Sequence, residues 1–264
     1  MRIQNSQPVE APFSAAVVIP TIVRPSLKRA VQSVFNQDTD GKIQVLIGVD
    51  KCLGDPAILD ELLAEAPDNV CVTIVDPGYS TSKRHNGIHT ASDGGSTRTV
   101  LSFLANSRYV AYLDDDNYWA VDHISSLLEA IDGVEWSCSL RWLQDEDTEE
   151  LLTVDKWHSV GVGPTTLIQE PDGFADPNTV MVDKLACASL LHHWSSEYFP
   201  GPGNSGADRH FSNSLLRYRR HRPTGKATCF YMLRSDNILW TYIAKERRER
   251  KQATNPPLKD LQNR

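Results

Sequence analysis

Four short apolar runs constrain this chain more than anything else in it: Ala15 to Ile19, Val45 to Val49, Val70 to Val75 and Tyr109 to Leu113. In each, apolar residues follow one another instead of alternating with polar ones, which is the pattern of a strand covered on both faces. Segments of helical spacing lie between them. Leu27, Ala30, Val31, Val34 and Phe35 share one face after the first run, with Ser26 as the expected N-cap; Ile58, Leu59, Leu62, Leu63 and Ala66 follow the second; Val100, Leu101 and Leu104 precede the fourth. Strands alternating with helices predict an α/β fold with a mostly parallel sheet up to residue 113. The first strand is expected to stop at Pro20, and Asp76-Pro77-Gly78 closes the third with turn chemistry.

Beyond residue 113 the pattern loosens. Asp122 can cap a helix carrying Ile124, Leu127, Leu128 and Ile131, and Val134, Trp136, Cys138, Leu140 and Trp142 alternate with polar residues as in a half-buried strand. Gln144 to Glu150 reads as an acidic loop and Gly161 to Pro177 as a Gly-, Pro- and Asp-rich one. Strands are expected at Thr179 to Val182 and Ala227 to Leu233, with helices near Leu185 to Leu191 and Asp208 to Leu216. The charged, then Pro-rich, tail after Lys245 is expected to fray.

The chain has 264 residues, 40% of them hydrophobic, enough for a globular core. Its formal charge of -7 argues against broad attraction to nucleic acid. A phosphate ligand would need local help from a cation, a few placed basic residues or backbone N–H groups. Cys52, Cys71, Cys138, Cys187 and Cys229 make an odd count without a Cys-x-x-Cys pair, so reduced, mostly buried thiols are expected. Neither a signal-peptide core nor a transmembrane run is present in the sequence, which points to a cytoplasmic protein and leaves peripheral membrane contact open.

Open α/β sheets bind ligands outside the carboxyl ends of their strands, and Thr21, Asp50 and Asp114-Asp115-Asp116 fall at those ends. Three adjacent carboxylates repel one another unless solvent or a cation compensates. Hard oxygen ligands suit Mg²⁺ or Mn²⁺, which take one or two protein carboxylates and complete their shells with phosphate oxygens and water. A solvated acidic turn leading into the next helix is the competing explanation.

Val17-Val18-Ile19-Pro20-Thr21, Ser33-Val34-Phe35-Asn36-Gln37, Arg84-His85-Asn86-Gly87-Ile88 and Tyr112-Leu113-Asp114-Asp115-Asp116-Asn117 occur in this order. The combination resembles glycosyltransferase family 2, clearly from about residue 15 to 135 and thinly afterwards. The resemblance implies a GT-A fold and an inverting, metal-dependent transfer of a sugar from a nucleoside diphosphate sugar, with a UDP-sugar as the expected donor, to a saccharide or other hydroxyl acceptor. It divides one domain into halves: 14–135 binding the nucleotide sugar and 136–244 carrying the acceptor face and the base. An N-terminal extension, 1–13, and a flexible tail, 245–264, flank them.

Carried over by position, the resemblance puts Pro20 and Thr21 in the nucleoside pocket and Asp50 on the base or ribose. It sets Asp114 and Asp115 beside the ribose and diphosphate, and makes Asp116 the direct ligand of Mn²⁺ or Mg²⁺, with Asp114 as its partner. Arg24, Lys83 and Arg84 are the positive charges expected near the diphosphate, where an Arg fork can contact phosphate oxygens in pairs. Asp208, within Gly203-Asn204-Ser205-Gly206-Ala207-Asp208-Arg209, matches the family's base-bearing segment, with helix capping as its alternative role and Asp176 and Glu197 as reserves.

The sequence departs from the family after the second strand, where Asp50-Lys51-Cys52-Leu53-Gly54-Asp55 replaces the usual Asp-Gly-Ser-x-Asp and leaves the nucleobase open. His192-His193-Trp194 lacks zinc-like spacing, and Trp194, Tyr198 and Phe199 suit either an acceptor sugar or the core. Two rivals stand beside the enzyme. A nucleotidyltransferase would carry a Gly-rich loop after the first strand, where Pro20-Thr21-Ile22-Val23-Arg24 has no glycine. A noncatalytic nucleotide-sugar-binding protein would keep the donor pocket without the base.

Overall fold

The computed structural model describes residues 2–6, 12–89, 94–163, 165–166, 173–196 and 206–254. Its strands are β1 (Arg2–Asn5), β2 (Ala15–Thr21), β3 (Ile43–Val49), β4 (Val70–Asp76), β5 (Tyr109–Tyr112), β6 (Tyr118–Trp119), β7 (Trp136–Asp145), β8 (Leu151–Val154), β9 (Gly161–Val162), β10 (Gly173–Phe174), β11 (Val180–Asp183) and β12 (His221–Leu233). The helices are α1 (Ser26–Phe35), α2 (Ala57–Glu65), α3 (Gly95–Leu104), α4 (His123–Ala130), α5 (Ala207–Tyr218) and α6 (Leu239–Thr254). Short 3-10 segments occupy Lys83–His85, Pro177–Thr179 and Ala188–Ser195.

Ten strands form one sheet in the order β1-β4-β3-β2-β5-β11-β7-β12-β6, with β8 added on β7, while β9 and β10 pair separately. The block β4-β3-β2-β5 is parallel throughout, as the alternation of apolar runs and helices predicts. The sheet runs without interruption across the division at residue 135, because β11 pairs antiparallel with both β5 and β7.

Helices cover both faces of this block, which is why β2 and β3 are buried at every position. Ala15, Val17 and Ile19 point into the core shared with α1, α2 and α4. Ala16 and Val18 point the other way, into a core with Leu101, Trp194, Phe211 and Leu215, from α3, the Ala188–Ser195 segment and α5. A small third cluster joins Leu143 and Leu233 to Leu239 and Ile243 of α6.

Several expectations are corrected. Strand β2 continues through Pro20 to Thr21; Pro20 pairs only with β3, beyond the last β5 partner at Val18, so its missing N–H costs no bond on the β5 side. Ser26 is the first residue of α1 and Pro25 its cap, and neither Pro25 nor Asp122 makes a side-chain capping bond. Strand β7 is largely buried on both faces instead of half-buried, since Ser137, Ser139 and Arg141 are covered as well as the apolar set. Arg2–Asn5 of the 1–13 extension is a strand on the β4 edge. Helix α6 runs through Thr254 and packs its first turns on the sheet through Leu239 and Ile243; the rest of the expected 245–264 tail lies outside the described residues.

Candidate functional site

Because β2, β3 and β5 are parallel, Thr21, Asp50 and Asp114 emerge at the same sheet edge, where a cleft of about 490 Å³ opens. Its size suits a small organic ligand. Pro20, Thr21, Arg24, Asp50, Arg84, Asp114, Asp115 and Asp116 all line it, together with Ser82, His85, Arg98, Tyr231 and Arg234. Lys83 does not; its side chain is exposed on the Lys83–His85 turn, while Arg84 beside it faces the cleft.

Each acid of the run has a different environment. Asp114 accepts hydrogen bonds from Arg98 Nη2 and, at 2.8 Å, from Asn178 Nδ2. Asp115 is 5% exposed and accepts from Thr21 Oγ1 at 2.6 Å. Asp116 is met by Arg24 Nη1 at 2.8 Å. Burial, then repulsion from Asp114 and Asp115, pushes Asp116 up to about 6 despite Arg24. Burial also raises Asp115, against the pull of Thr21 and Arg24.

Arg24 reaches Asp116 because of an unusual turn. Val23 has φ 64, a conformation costly for a β-branched residue, yet its side chain is fully buried in the core. Its N–H donates to Thr21 Oγ1 at 2.7 Å, so the hydroxyl that holds Asp115 also fixes the turn. Gly54 lies against it: a Cβ there would stand 1.8 Å from Val23 O. Across the cleft Gly94, at φ +74, approaches Pro20 so closely that a Cβ would meet the proline Cβ at 2.6 Å. Asp50 is 7% exposed and accepts from Ser80 Oγ at 3.0 Å through each carboxylate oxygen.

Asp208 is not among the cleft-lining residues and lies in the first turn of α5, where Gly206 is the cap, so the capping role expected as its alternative falls to another residue. Burial raises its carboxyl above the usual range, opposed by the Arg209 N–H it accepts and by the charges of Arg98 and Arg209. Asp176, the first reserve for the base, is 6% exposed and bound to Arg141 Nη1 at 2.5 Å, which leaves it unsuited to meet an acceptor. Glu197, Tyr198 and Phe199 lie outside the described residues. Trp194 is fully buried and stacks on Phe211 at 4.2 Å, a core role.

Arg98, Asn178, Tyr231 and Arg234 escaped the sequence reading. Arg98 had a signal, since it lies in the first turn of the helix that precedes the acidic strand; the other three come from distant elements and had none.

Whether a divalent cation fits can be judged from charge. The lining holds Arg24, Arg84, Arg98 and Arg234 against Asp50, Asp114, Asp115 and Asp116, a formal balance of zero. A diphosphate would tip it negative, so an added cation is electrostatically favoured. Among the described residues no three His, Cys, Asp or Glu side chains form a metal cage. The donors therefore fit an ion that completes its shell with phosphate oxygens and water, as Mg²⁺ and Mn²⁺ can, and do not fit a closed structural site.

No protein-family model matches the sequence, and no curated protein matches it significantly. Solved structures do match in fold. S. aureus TarS 1-349 in complex with UDP-GlcNAc superposes with a TM-score of 0.58 at 13% identity, over 86% of this chain and 61% of that one. The UDP complex of the same protein gives 0.59 at 14% identity, over 83% and 60%. The mannosyltransferase PcManGT from Pyrobaculum calidifontis, in complex with GDP-Man and Mn²⁺, gives 0.56 at 12% identity, over 90% and 64%. The chain thus spans less than two thirds of the length of these structures, and what it shares with them is the GT-A glycosyltransferase fold.

Proposed function

We propose that the protein is an inverting glycosyltransferase that uses a nucleoside diphosphate sugar. The observation that carries this reading is the cleft at the carboxyl edge of a GT-A sheet, where Asp50, the three successive acids and three arginines, Arg24, Arg84 and Arg98, converge. That arrangement offers acceptors for base and ribose on one side and guanidinium forks for phosphate oxygens on the other. The nucleoside lies along Pro20, Thr21 and Asp50, and its diphosphate approaches Arg24, Arg84 and Arg98. TarS is seen with UDP and UDP-GlcNAc and PcManGT with GDP-Man, so uridine and guanosine donors are the first to test. Lys83 plays no part in this reading.

Asp116 is the proposed ligand for Mn²⁺ or Mg²⁺, and the ion, when bound, supplies positive charge to the departing diphosphate. Arg24 and Arg98 add to that charge from fixed positions, so the leaving group meets preorganised partners. Asp208 takes the proton of the acceptor hydroxyl. The hydroxyl oxygen forms its bond to the anomeric carbon from the face opposite the diphosphate, the bond from that carbon to phosphate oxygen breaks, and the configuration inverts. A carboxyl raised by burial is a stronger base than an exposed one, which suits Asp208 to this task. The acceptor is a saccharide or another hydroxyl compound. No helix among the described residues is long and apolar enough to cross a membrane. A cytoplasmic location is part of the reading, supported by five free thiols, four of them buried.

The test is a panel of UDP- and GDP-sugars assayed for transfer and hydrolysis with Mn²⁺ and Mg²⁺, comparing the parent with Asp208→Asn. The parent is expected to turn over at least one donor, and the variant to bind that donor with about the parent's Kd while losing roughly 10²- to 10⁴-fold in kcat. Equal turnover by both proteins would remove Asp208 from the mechanism. Binding without turnover in the parent would favour the noncatalytic nucleotide-sugar-binding alternative.

A further inference from the structure

Behind the acidic run lies a buried polar chain that the mechanism above does not use. Asn178 is fully buried, and its side chain is turned toward Asp114. Its Oδ1 accepts from the Asp114 backbone N–H at 2.6 Å, and its Nδ2 donates to Asp114 Oδ2 at 2.8 Å and to Asp176 Oδ1 at 2.7 Å. The amide orientation follows from these partners: the oxygen faces a donor and the nitrogen faces two carboxylates, and the flipped amide would set oxygen against oxygen.

Asp176 is held in turn. Its Oδ2 accepts from Arg141 Nη1, its own N–H donates to Ser159 Oγ at 2.9 Å, and its Oδ1 also accepts the Asn178 N–H at 2.9 Å. Arg141 is wholly buried on β7, donates from Nε to Asp155 Oδ2 at 2.9 Å, and lies under the ring of the cleft residue Tyr231 at 4.0 Å. Asp155 accepts three backbone N–H groups, from Trp157, His158 and Ser159. Burying so many charges is costly and contributes little net stability compared with an apolar core, so such a network suggests that something other than stability retains it.

We propose that Asn178 is a positioning residue for Asp114, and that the buried Arg141–Asp176 pair sets the direction in which its amide points. Asp114 is gripped on one oxygen by Arg98 and on the other by Asn178, while its main chain is tied to the same amide. The rotamer of Asp114, and with it the place of Arg98 on the cleft floor, is therefore dictated by residues more than sixty positions away in the chain. The consequence for binding rests on the donor-site reading above; the contact itself does not.

The test compares Asn178→Ala, Asn178→Asp and the double variant Asn178→Asp with Asp114→Asn. Two readouts are taken: the Kd for UDP and for GDP, and the thermal midpoint without nucleotide. If Asn178 acts by donating to Asp114, the Ala variant loosens the better nucleotide roughly ten-fold. The near-isosteric Asp variant, which sets a carboxylate where the donor stood, loosens it further. In the thermal series, Asn178→Asp falls below Asn178→Ala, and adding Asp114→Asn recovers part of that fall, the repulsion from Asp176 remaining. A residue that only fills space predicts the opposite order, with Asp tolerated better than Ala and no recovery in the double variant; that result overturns the proposal. If the parent binds neither nucleotide, the donor-site reading fails, and the thermal series still decides the role of Asn178.

Discussion

Arg24 and Asp208 show how far a single residue's behaviour depends on its surroundings. Arg24 would be an ordinary surface cation if Val23 were not held at a positive φ by Thr21, Gly54 and the core. Desolvation at its half-buried position holds the Asp208 carboxyl above the usual carboxylate range. A base must be unprotonated to accept a proton, so kcat is expected to rise with pH through this raised value and to level off above it. The acidic limb should therefore sit higher than the normal carboxyl range, and Asp208→Asn should lose the share of it that belongs to Asp208, leaving that of Asp116. A pH profile of kcat in both proteins checks this; an unchanged limb in the variant would assign it to another group. At this scale the sequence was informative wherever residues stand at strand ends, because a parallel sheet gathers those ends at one edge. Lys83 and Arg84 are adjacent, and no periodicity in a three-residue turn could say which of them faces the cleft.

The elements differ in how openly they were written. Strands β2, β3, β4 and β5 could be read directly, since a strand covered on both faces has no alternative to an apolar run. Strand β7 misled, because Ser137, Ser139 and Arg141 look like a solvent face and are in fact covered. Arg141 finds its two carboxylates on the loop after β8 and on the turn before β11, and no local pattern announces such partners. Replacing it with Met leaves Asp155 and Asp176 buried without their cation, and a loss of about 3–5 kcal/mol in urea-melt stability is expected. A loss below about 1 kcal/mol would mean that the network relaxes or admits solvent. The β3–α2 connection can be tested through Gly54→Ala. Its Cβ must displace the Val23 carbonyl, so the turn carrying Arg24 shifts and strains the core packing of Val23 with it. Donor affinity should fall about ten-fold or more, since small misplacements of a charge partner are expensive, and the thermal midpoint should fall as well.

Over the whole molecule, one sheet joins the part that was legible to the part that was not. The fold class and the first half of the sheet followed from alternating apolar runs. The N-terminal strand on β4 and the C-terminal helix did not, because β1 is exposed at all four positions and α6 carries an unbroken run of charged residues from Lys245 to Lys251. Two residues, Leu239 and Ile243, tie α6 to Leu143 and Leu233, and Ile243→Ala is expected to cost about 2–4 kcal/mol despite lying within an outwardly polar helix. The cleft, meanwhile, is balanced in formal charge before any ligand arrives, which makes the account depend on a cation that enters with the donor's phosphates. The most direct measurement is a calorimetric titration of UDP- and GDP-sugars into the parent and into Asp116→Ala, each with Mn²⁺ and with chelator. The account predicts that the parent binds one of these donors, that chelation weakens this binding at least ten-fold, and that Asp116→Ala binds weakly under both conditions. Binding that is equally tight in the variant, or indifferent to the ion in the parent, would contradict it.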